Sequence, residues 1–224
     1  MTVNEMMEAI KARHSVRAYK DIPIEQGVRN QLNEFVDKCT KESGLNITVQ
    51  YDDPEGFDSR LAHYGSFRNV GNYIVLKGKK IADFDFACGY YGEKIVLFAQ
   101  HIGLNTCWAA LTFNKKKVKT LIPKDEAFCM VIALGYGETQ GHPHKGKDLH
   151  GVVDVKGSMP DWFVAGVESA LLAPTAVNQQ KFVFSLEGDE DSVRAKGFGP
   201  ETKVDLGIVA YHFDVASGRN ISHK

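Results

Sequence analysis

The spacing of apolar positions predicts a chain that mixes helices and strands. Apolar side chains recur at every third or fourth position over Val3–Arg13, and a second helix is expected from Pro23 to about Cys39. Asp83–Ile102 is apolar on most faces, which is typical of a buried central helix, and Gly103 stands where a helix usually ends. Three further helices are predicted: Lys115–Leu121, Asp161–Leu172 and Asp205–Ala216.

Five shorter apolar segments are predicted to be strands or strand-like pieces. Phe128–Tyr136 is almost continuously apolar, as expected of a strand that is buried on both faces. The others are Ile47–Tyr51, Tyr73–Lys77, Thr106–Leu111 and Phe182–Leu186. Residues 52–68 and 138–150 are polar, so we expect irregular loops there.

The order of these elements indicates an internal repeat. A helix, a loop, a strand and a later apolar helix occur twice along the chain, although residue identity between the two series is low. We therefore predict a first half of residues 1–150 and a shorter second half of residues 151–224, which together form one compact unit. Two related halves would pack about a pseudo-twofold axis, with a shared ligand cleft.

Composition narrows the classes of function. Of 224 residues, 43% are hydrophobic, and the net charge is −1, so no strong overall field attracts nucleic acid or an anionic membrane. No apolar run approaches the roughly 20 residues of a membrane span, and the N-terminal stretch lacks a signal-peptide core. The four cysteines are widely spaced and contain no CxxC, which favours free thiols. We expect a cytoplasmic protein without a nucleic-acid or membrane partner.

A basic segment follows the first helix. Arg13, Ser15 and Arg17 occupy alternate positions, so in an extended chain their side chains point the same way. Two guanidinium groups and a hydroxyl on one side suit a phosphate. Composition alone favours the simpler alternative, a solvated basic loop.

A second basic cluster lies in the polar loop before residue 150. Lys145 and Lys147 are two residues apart and could meet the same phosphate, whereas a solvated loop is again the simpler alternative. His142 and His144 form an H-x-H pair, but no clear Cys, Asp or Glu partner accompanies it, so a metal site is a weak hypothesis.

The segment Ala173–Gln180 (APTAVNQQ) concentrates uncharged hydrogen-bonding groups between a helix and a strand. Asparagine and glutamine each offer a donor and an acceptor, so the loop could recognise the edge of a heterocycle. The alternative is a plain turn with local Asx bonding. The chain has no P-loop, GxGxxG, HExxH or GxSxG motif.

Taken together, these segments resemble the FMN-dependent nitroreductases. Arg13–Tyr19 looks like the family's RxSxRxF segment, and Ile102–Trp108 (IGLNTCW) is similar to the GLGTCW that ends its apolar helix. Val131–Tyr136 resembles the family's strand ending in Gly-Tyr, followed by a basic loop. Ala173–Gln180 is similar to the APSxxNxQPW loop, with Lys181-Phe182 in place of proline and tryptophan.

The resemblance implies an α+β fold with a central, mainly antiparallel sheet flanked by helices. In one respect this chain departs from the family. In ordinary members the loop that resembles Ala173–Gln180, here called the Asn/Gln loop, follows the first two helices. At that place this chain has Lys41–Gln50, which lacks the pattern. The order resembles the subfamily in which two nitroreductase-like halves are fused. It implies two pseudo-symmetric halves in a fused pseudo-dimer, with one FMN per chain and no need for a partner subunit.

The resemblance also implies the residues of a cofactor site. Arg13 and Arg17, with Ser15 beside them, would bind the phosphate or ribityl chain of FMN, and Lys145 and Lys147 would complete the phosphate site. Backbone groups of Ala110 and Leu111 would meet the flavin, although a glycine is usual there. The isoalloxazine ring would be lined by Pro174, Thr175, Ala176 and Asn178, and the remaining implied contacts are His14 and Trp108. No catalytic side chain and no metal ligand are implied.

The implied activity is ping-pong hydride transfer from NAD(P)H through FMN to a small electron acceptor such as a nitroaromatic or a quinone. A flavin carrier or sensor without turnover is the alternative from another class. The resemblance is also compatible with a flavin-dependent hydrolase or dehalogenase. A structural relative that has lost the cofactor would share the fold alone, but intact Arg13, Ser15, Arg17 and Asn178 argue against such a loss.

Overall fold

The computed structural model describes residues 1–187, 192–199 and 202–221. Residue contacts divide the chain into two compact units that are interleaved in sequence. The sheet unit comprises Arg13–Phe84 and Ile95–Pro143, and the helical unit comprises Met1–Ala12, Asp85–Lys94 and His144–Lys224. These boundaries follow packing and differ from the predicted halves 1–150 and 151–224, which remain a prediction.

The elements combine α-helices with antiparallel strands, so the fold is α+β. The helices are α1 (Val3–Ala12), α2 (Gln26–Ser43), α3 (Arg60–Tyr64), α4 (Phe84–His101), α5 (Lys115–Lys119), α6 (Asp161–Ala170) and α7 (Thr202–Ser217). The strands are β1 (Thr48–Gln50), β2 (Asn72–Gly78), β3 (Asn105–Ala109), β4 (Ala127–Gly135), β5 (Phe182–Glu187) and β6 (Ser192–Gly197). Short 3-10 turns cover Pro54–Gly56, Leu149–Val152 and Ala176–Asn178.

The sheet unit is built on a four-stranded antiparallel sheet in the order β1-β2-β4-β3. Strand β2 is buried along its whole length, and β4 is buried from Met130 to Gly135, because both occupy the centre of the sheet. The near-continuous apolar runs in these two segments predicted central strands, and the structure confirms them.

The polar stretch 52–68 is the main correction in this unit. The expectation of an irregular loop was wrong in part, since the stretch holds the 3-10 turn Pro54–Gly56 and helix α3. Helix α3 has no apolar stripe to predict it. It is started by Ser59, whose hydroxyl accepts the backbone N–H of Ala62, an N-cap that satisfies one of the first-turn donors.

In the helical unit, α4 and α7 cross at two glycines. A Cβ on Gly207 would lie 2.1 Å from the carbonyl oxygen of Phe86, and one on Gly89 would lie 2.1 Å from that of Val204. Helix α6 approaches α7 in a similar way, because a Cβ on Gly166 would meet the ring of Phe213 at 2.5 Å. The absence of side chains at these glycines lets the backbones approach closely.

Strands β5 and β6 form an antiparallel hairpin in the same unit. Strand β6 was not predicted, although Val193 and Ala195 alternate with Ser192, Arg194 and Lys196, and it pairs with β5. Within the described residues, no helix is long and apolar enough to cross a bilayer.

Asp214 gives the helical unit a dependence on pH. Its Oδ2 accepts a hydrogen bond from the Tyr90 hydroxyl at 3.0 Å, and Oδ1 is buried. Burial is the largest cause that raises the pKa of Asp214 from 3.8 to about 6, and the Tyr90 hydrogen bond lowers it in part. The folded state therefore retains a proton between pH 4 and 6 that the unfolded state has released.

We expect the contribution of Asp214 to stability to fall as pH rises from about 4 to about 6. The loss is below about 3 kcal/mol, because partial solvent exposure weakens the effect. Urea unfolding of the wild type and of Asp214→Asn at pH 4, 5, 6 and 7 measures it. The variant is expected to gain on the wild type between pH 4 and 6, and a difference that is constant with pH would contradict this account.

Candidate functional site

The segment that carries Arg13, Ser15 and Arg17 lies extended beside β3. The N–H of Val16 donates to the carbonyl of Thr106 at 3.0 Å, and Ser15 forms a parallel bridge with Thr106. Further along, the N–H of Arg68 donates to the carbonyl of Arg17 at 2.9 Å. These bonds hold the alternate side chains of the segment in fixed directions.

The three alternate side chains all influence one thiol in the sheet unit. Burial raises the pKa of the Cys107 thiol, while the Arg17 charge, a hydrogen bond with Ser15 and the Arg13 charge lower it. Cys107 is the middle residue of β3 and is buried.

The residue types on this segment suit an anionic ligand such as a phosphate. Arg13 is buried, being only 3% exposed, so its charge is weakly screened by water. A second guanidinium, from the exposed Arg17, and the Ser15 hydroxyl add charge-assisted and neutral donors. This donor set matches the phosphate of FMN in charge and hydrogen-bonding type.

The other predicted contacts of this unit lie at or beside the same strand. Trp108 is half-buried near the end of β3, and Ala110 and Leu111 follow it in the connecting loop. Leu111 is 62% exposed, so its side chain is not part of the core. His14 is half-buried between the two alternate arginines.

In the helical unit, the Asn/Gln loop has an unusual backbone. Val177, Asn178 and Gln180 have φ values of +49°, +52° and +47°, in the left-handed region that side-chain-bearing residues seldom adopt. The strain is greatest at Val177, which is β-branched and 89% exposed. Such a backbone persists only where surrounding contacts determine it.

Gln180 supplies most of those contacts. Its side chain is buried, with Oε1 accepting the N–H of Lys147 at 2.6 Å and Nε2 donating to the carbonyl of Leu171 at 2.7 Å. Its own carbonyl accepts the Lys147 ammonium at 2.8 Å, and its N–H donates to the Thr175 hydroxyl at 3.1 Å. Gln180 thus ties the loop to the basic segment.

The two lysines that were predicted to bind phosphate form hydrogen bonds with residues of the Asn/Gln loop. The ammonium of Lys147 donates to Gln180, and Lys145 offers its carbonyl oxygen to the amide nitrogen of Asn178 at 3.3 Å. Of the other predicted ring contacts, Thr175 is buried and Pro174 is half-buried. The N–H of Ala176 donates to both carboxylate oxygens of Asp205, at 2.9 and 3.1 Å.

The side-chain amide oxygen of Asn178, Oδ1, is buried and has no hydrogen-bond partner among the described residues. A buried acceptor left without a donor is costly, which makes this atom a candidate for a ligand N–H. A flavin ring edge carries such a group. The orphaned acceptor therefore suits the heterocycle, as the arginine cluster suits the phosphate.

The sequence did not reveal the role of three residues. Gln180 belongs to the Asn/Gln loop and could have been identified, because a buried glutamine needs hydrogen-bond partners for its amide. Cys107 was assigned only as a free thiol. Its relation to Arg13, Ser15 and Arg17 could not be predicted, because it depends on the pairing of their segment with β3. Asp205 was not detectable, because its contact with Ala176 spans 29 residues and exists only in the folded unit.

Two further candidate sites have less support. Within the described ranges, no group of three His, Cys, Asp or Glu side chains could hold a metal ion, and Nε2 of His144 faces the carbonyl of Leu171 at 3.1 Å. A cavity of about 380 Å³ in the sheet unit is lined by residues that include Tyr19, Asp52 and Asn69. None of the predicted cofactor contacts lines this cavity.

Comparison with known proteins assigns the class. A family model described as "Putative TM nitroreductase" matches residues 5–217, and the chain belongs to this nitroreductase family. The search of curated proteins found no match.

Solved structures agree with the nitroreductase-like fold. A "putative nitroreductase" from Thermotoga maritima is 25% identical, with a TM-score of 0.66, over 96% of this chain and 83% of its own. A nitroreductase with bound FMN from Desulfitobacterium hafniense is 15% identical, with a TM-score of 0.53, over 64% of this chain and 95% of its own. The NADPH:FMN oxidoreductase of Vibrio harveyi, in complex with NAD⁺, is 16% identical, with a TM-score of 0.52, over 65% of this chain and 74% of its own.

Proposed function

We propose that this protein is an FMN-dependent oxidoreductase that uses NAD(P)H and reduces a small electron acceptor such as a nitroaromatic or a quinone. The observation that carries the proposal is the extended segment with Arg13, Ser15 and Arg17, which β3 holds through the Val16–Thr106 hydrogen bond and the Ser15–Thr106 bridge. Membership of the nitroreductase family supports the same assignment. FMN, when bound, supplies the two-electron chemistry by taking a hydride from the nicotinamide and passing electrons to the acceptor.

The proposed roles of the two groups of residues differ. Arg13, Ser15 and Arg17 bind and orient the phosphate, which fixes the cofactor without taking part in electron transfer. Asn178 offers its carbonyl oxygen to a ring N–H, and this hydrogen bond sets the electrostatic environment of the ring. From the order of the motifs along the chain, we propose one FMN per chain in a fused pseudo-dimer that needs no partner subunit.

Arg13→Ala is expected to weaken FMN binding roughly 10- to 150-fold, because a charge-assisted phosphate contact worth about 1.5–3 kcal/mol is lost. Fluorescence titration with FMN measures the effect. Arg60→Ala is the matched control, since Arg60 is an exposed arginine of the same unit, and it should bind like the wild type. Equal FMN affinity in a folded Arg13→Ala variant would contradict the phosphate role.

Turnover separates an enzyme from a flavin carrier. We expect NADH or NADPH to bleach the absorbance of the bound flavin under anaerobic conditions, and a nitroaromatic or quinone to restore it. A protein that binds FMN with normal affinity but is not reduced by either nucleotide, or not reoxidised by any acceptor, would be a flavin carrier or sensor.

A further inference from the structure

The Asn/Gln loop has left-handed backbone residues and one buried acceptor, Asn178 Oδ1, without a described partner. Three side chains make the contacts that hold the loop in this conformation. Lys147 reaches the loop through its ammonium, Gln180 through its buried amide, and Asp205 through its carboxylate. All of these contacts are between protein atoms, so the protein itself contributes to the shape of the loop.

We propose that Lys147, Gln180 and Asp205 are positioning residues that fix Asn178 with its amide nitrogen turned towards the protein and its carbonyl oxygen reserved for a ring N–H of the cofactor. The inference rests on the proposed function for the identity of the ring. It assigns Lys147 a role in shaping the loop, whereas the sequence pattern assigned it to the phosphate.

The orientation of the Asn178 amide follows from its partner. The carbonyl oxygen of Lys145 can only accept a hydrogen bond, so the atom that faces it at 3.3 Å must be the amide nitrogen. The opposite atom is then Oδ1, which is the buried acceptor without a described partner. The ligand atom that meets it must be a donor, and an acceptor at the same place would be repelled.

Asp205 fixes the entry to the strained turn. Its two carboxylate oxygens accept the N–H of Ala176, the residue immediately before Val177. Lys147 fixes the exit, because its backbone N–H donates to the side-chain Oε1 of Gln180, the last left-handed residue, and its ammonium donates to the Gln180 carbonyl. With both ends held, the left-handed geometry of Val177 and Asn178 is retained despite its cost.

We call Lys147, Gln180 and Asp205 the clamp of the Asn/Gln loop. Amide hydrogen exchange of the ligand-free chain tests this clamp without FMN. In the wild type, the N–H of Ala176 and of Gln180 should be protected. Asp205→Ala should reduce protection of Ala176 by roughly 2- to 10-fold, the equivalent of one hydrogen bond, and Asp205→Asn should restore most of it, because the amide oxygen still accepts. Unchanged protection in Asp205→Ala would overturn the clamp, whether or not the protein binds flavin.

Bound FMN then tests the consequence for Asn178. Asn178→Ala and Asp205→Ala should each change the visible spectrum and the midpoint potential of the bound flavin, and the double variant should differ little from Asn178→Ala alone. Additive shifts, or a loss of folding stability in Asp205→Ala without a spectral change, would reduce Asp205 to a structural role and overturn the proposal. A wild-type protein that binds no FMN would refute the proposed function and the role of Asn178, but the exchange result would still identify the clamp.

Discussion

Replacing Gly207 with alanine is expected to lower the free energy of unfolding by about 3 kcal/mol. The new methyl group would lie 2.1 Å from the carbonyl oxygen of Phe86 and 2.6 Å from the backbone nitrogen of Tyr90. Both obstacles belong to the backbone of α4, so no side-chain rotation can relieve the overlap. Urea denaturation, with the midpoint and slope compared to the wild type, measures the effect.

Gly27→Ala is the matched control for Gly207→Ala. Gly27 also lies in a helix, α2, and a Cβ added there meets nothing within 4 Å. Alanine should therefore be neutral or stabilise by up to about 1 kcal/mol, since it restricts the unfolded chain and favours the helix. Equal stability of the Gly207→Ala variant and the wild type would contradict the close crossing of α4 and α7.

The second large effect is expected at a fully buried polar pair. Glu93 in α4 and His212 in α7 are both 0% exposed, and Nε2 of the histidine lies 2.9 Å from Oε1 of the glutamate. Nδ1 lies 3.1 Å from the carbonyl oxygen of Ser169, which cannot donate, so this nitrogen carries a proton. Nε2 then pairs with the carboxyl group of Glu93, so both buried groups have a partner.

Glu93→Ala is expected to destabilise the protein by about 3–5 kcal/mol, because it leaves a buried imidazole without its partner. Glu93→Gln should cost less, since its amide can still pair with Nε2. Glu42→Ala is the control: its carboxylate lies 4.0 Å from Lys38 on the surface, and its loss should cost under about 1 kcal/mol. Similar losses in Glu93→Ala and Glu42→Ala would refute a structural role for the buried pair.

The apolar pattern predicted most of the fold because burial follows it closely. The continuous apolar run of β4 and the nearly all-round apolar surface of α4 both define central elements, and the structure contains both. The pattern failed at α3, which is polar and depends on the Ser59 cap, and at β6, which depends on its partner strand. Glycine crossings such as Gly89–Gly207 leave no periodic signal, because each glycine matters only through the helix it meets.

The candidate residues were predictable to a different extent in each unit. Alternation in an extended segment predicts that Arg13, Ser15 and Arg17 share one side, and all three influence the ionisation of Cys107. Lys147 was identified by charge alone, whereas its hydrogen bond to Gln180 depends on how the loop folds back. Long-range contacts of this kind, like that of Asp205, are set by tertiary packing and not by local sequence.

The most direct test of the central claim is the flavin content and selectivity of the purified protein. The account predicts a yellow protein, or one that becomes so on addition of FMN, with one FMN released per chain on denaturation. It also predicts that riboflavin, which lacks the phosphate, binds at least roughly tenfold more weakly than FMN. A colourless protein that fails to bind added FMN, or one that binds both equally, would contradict it.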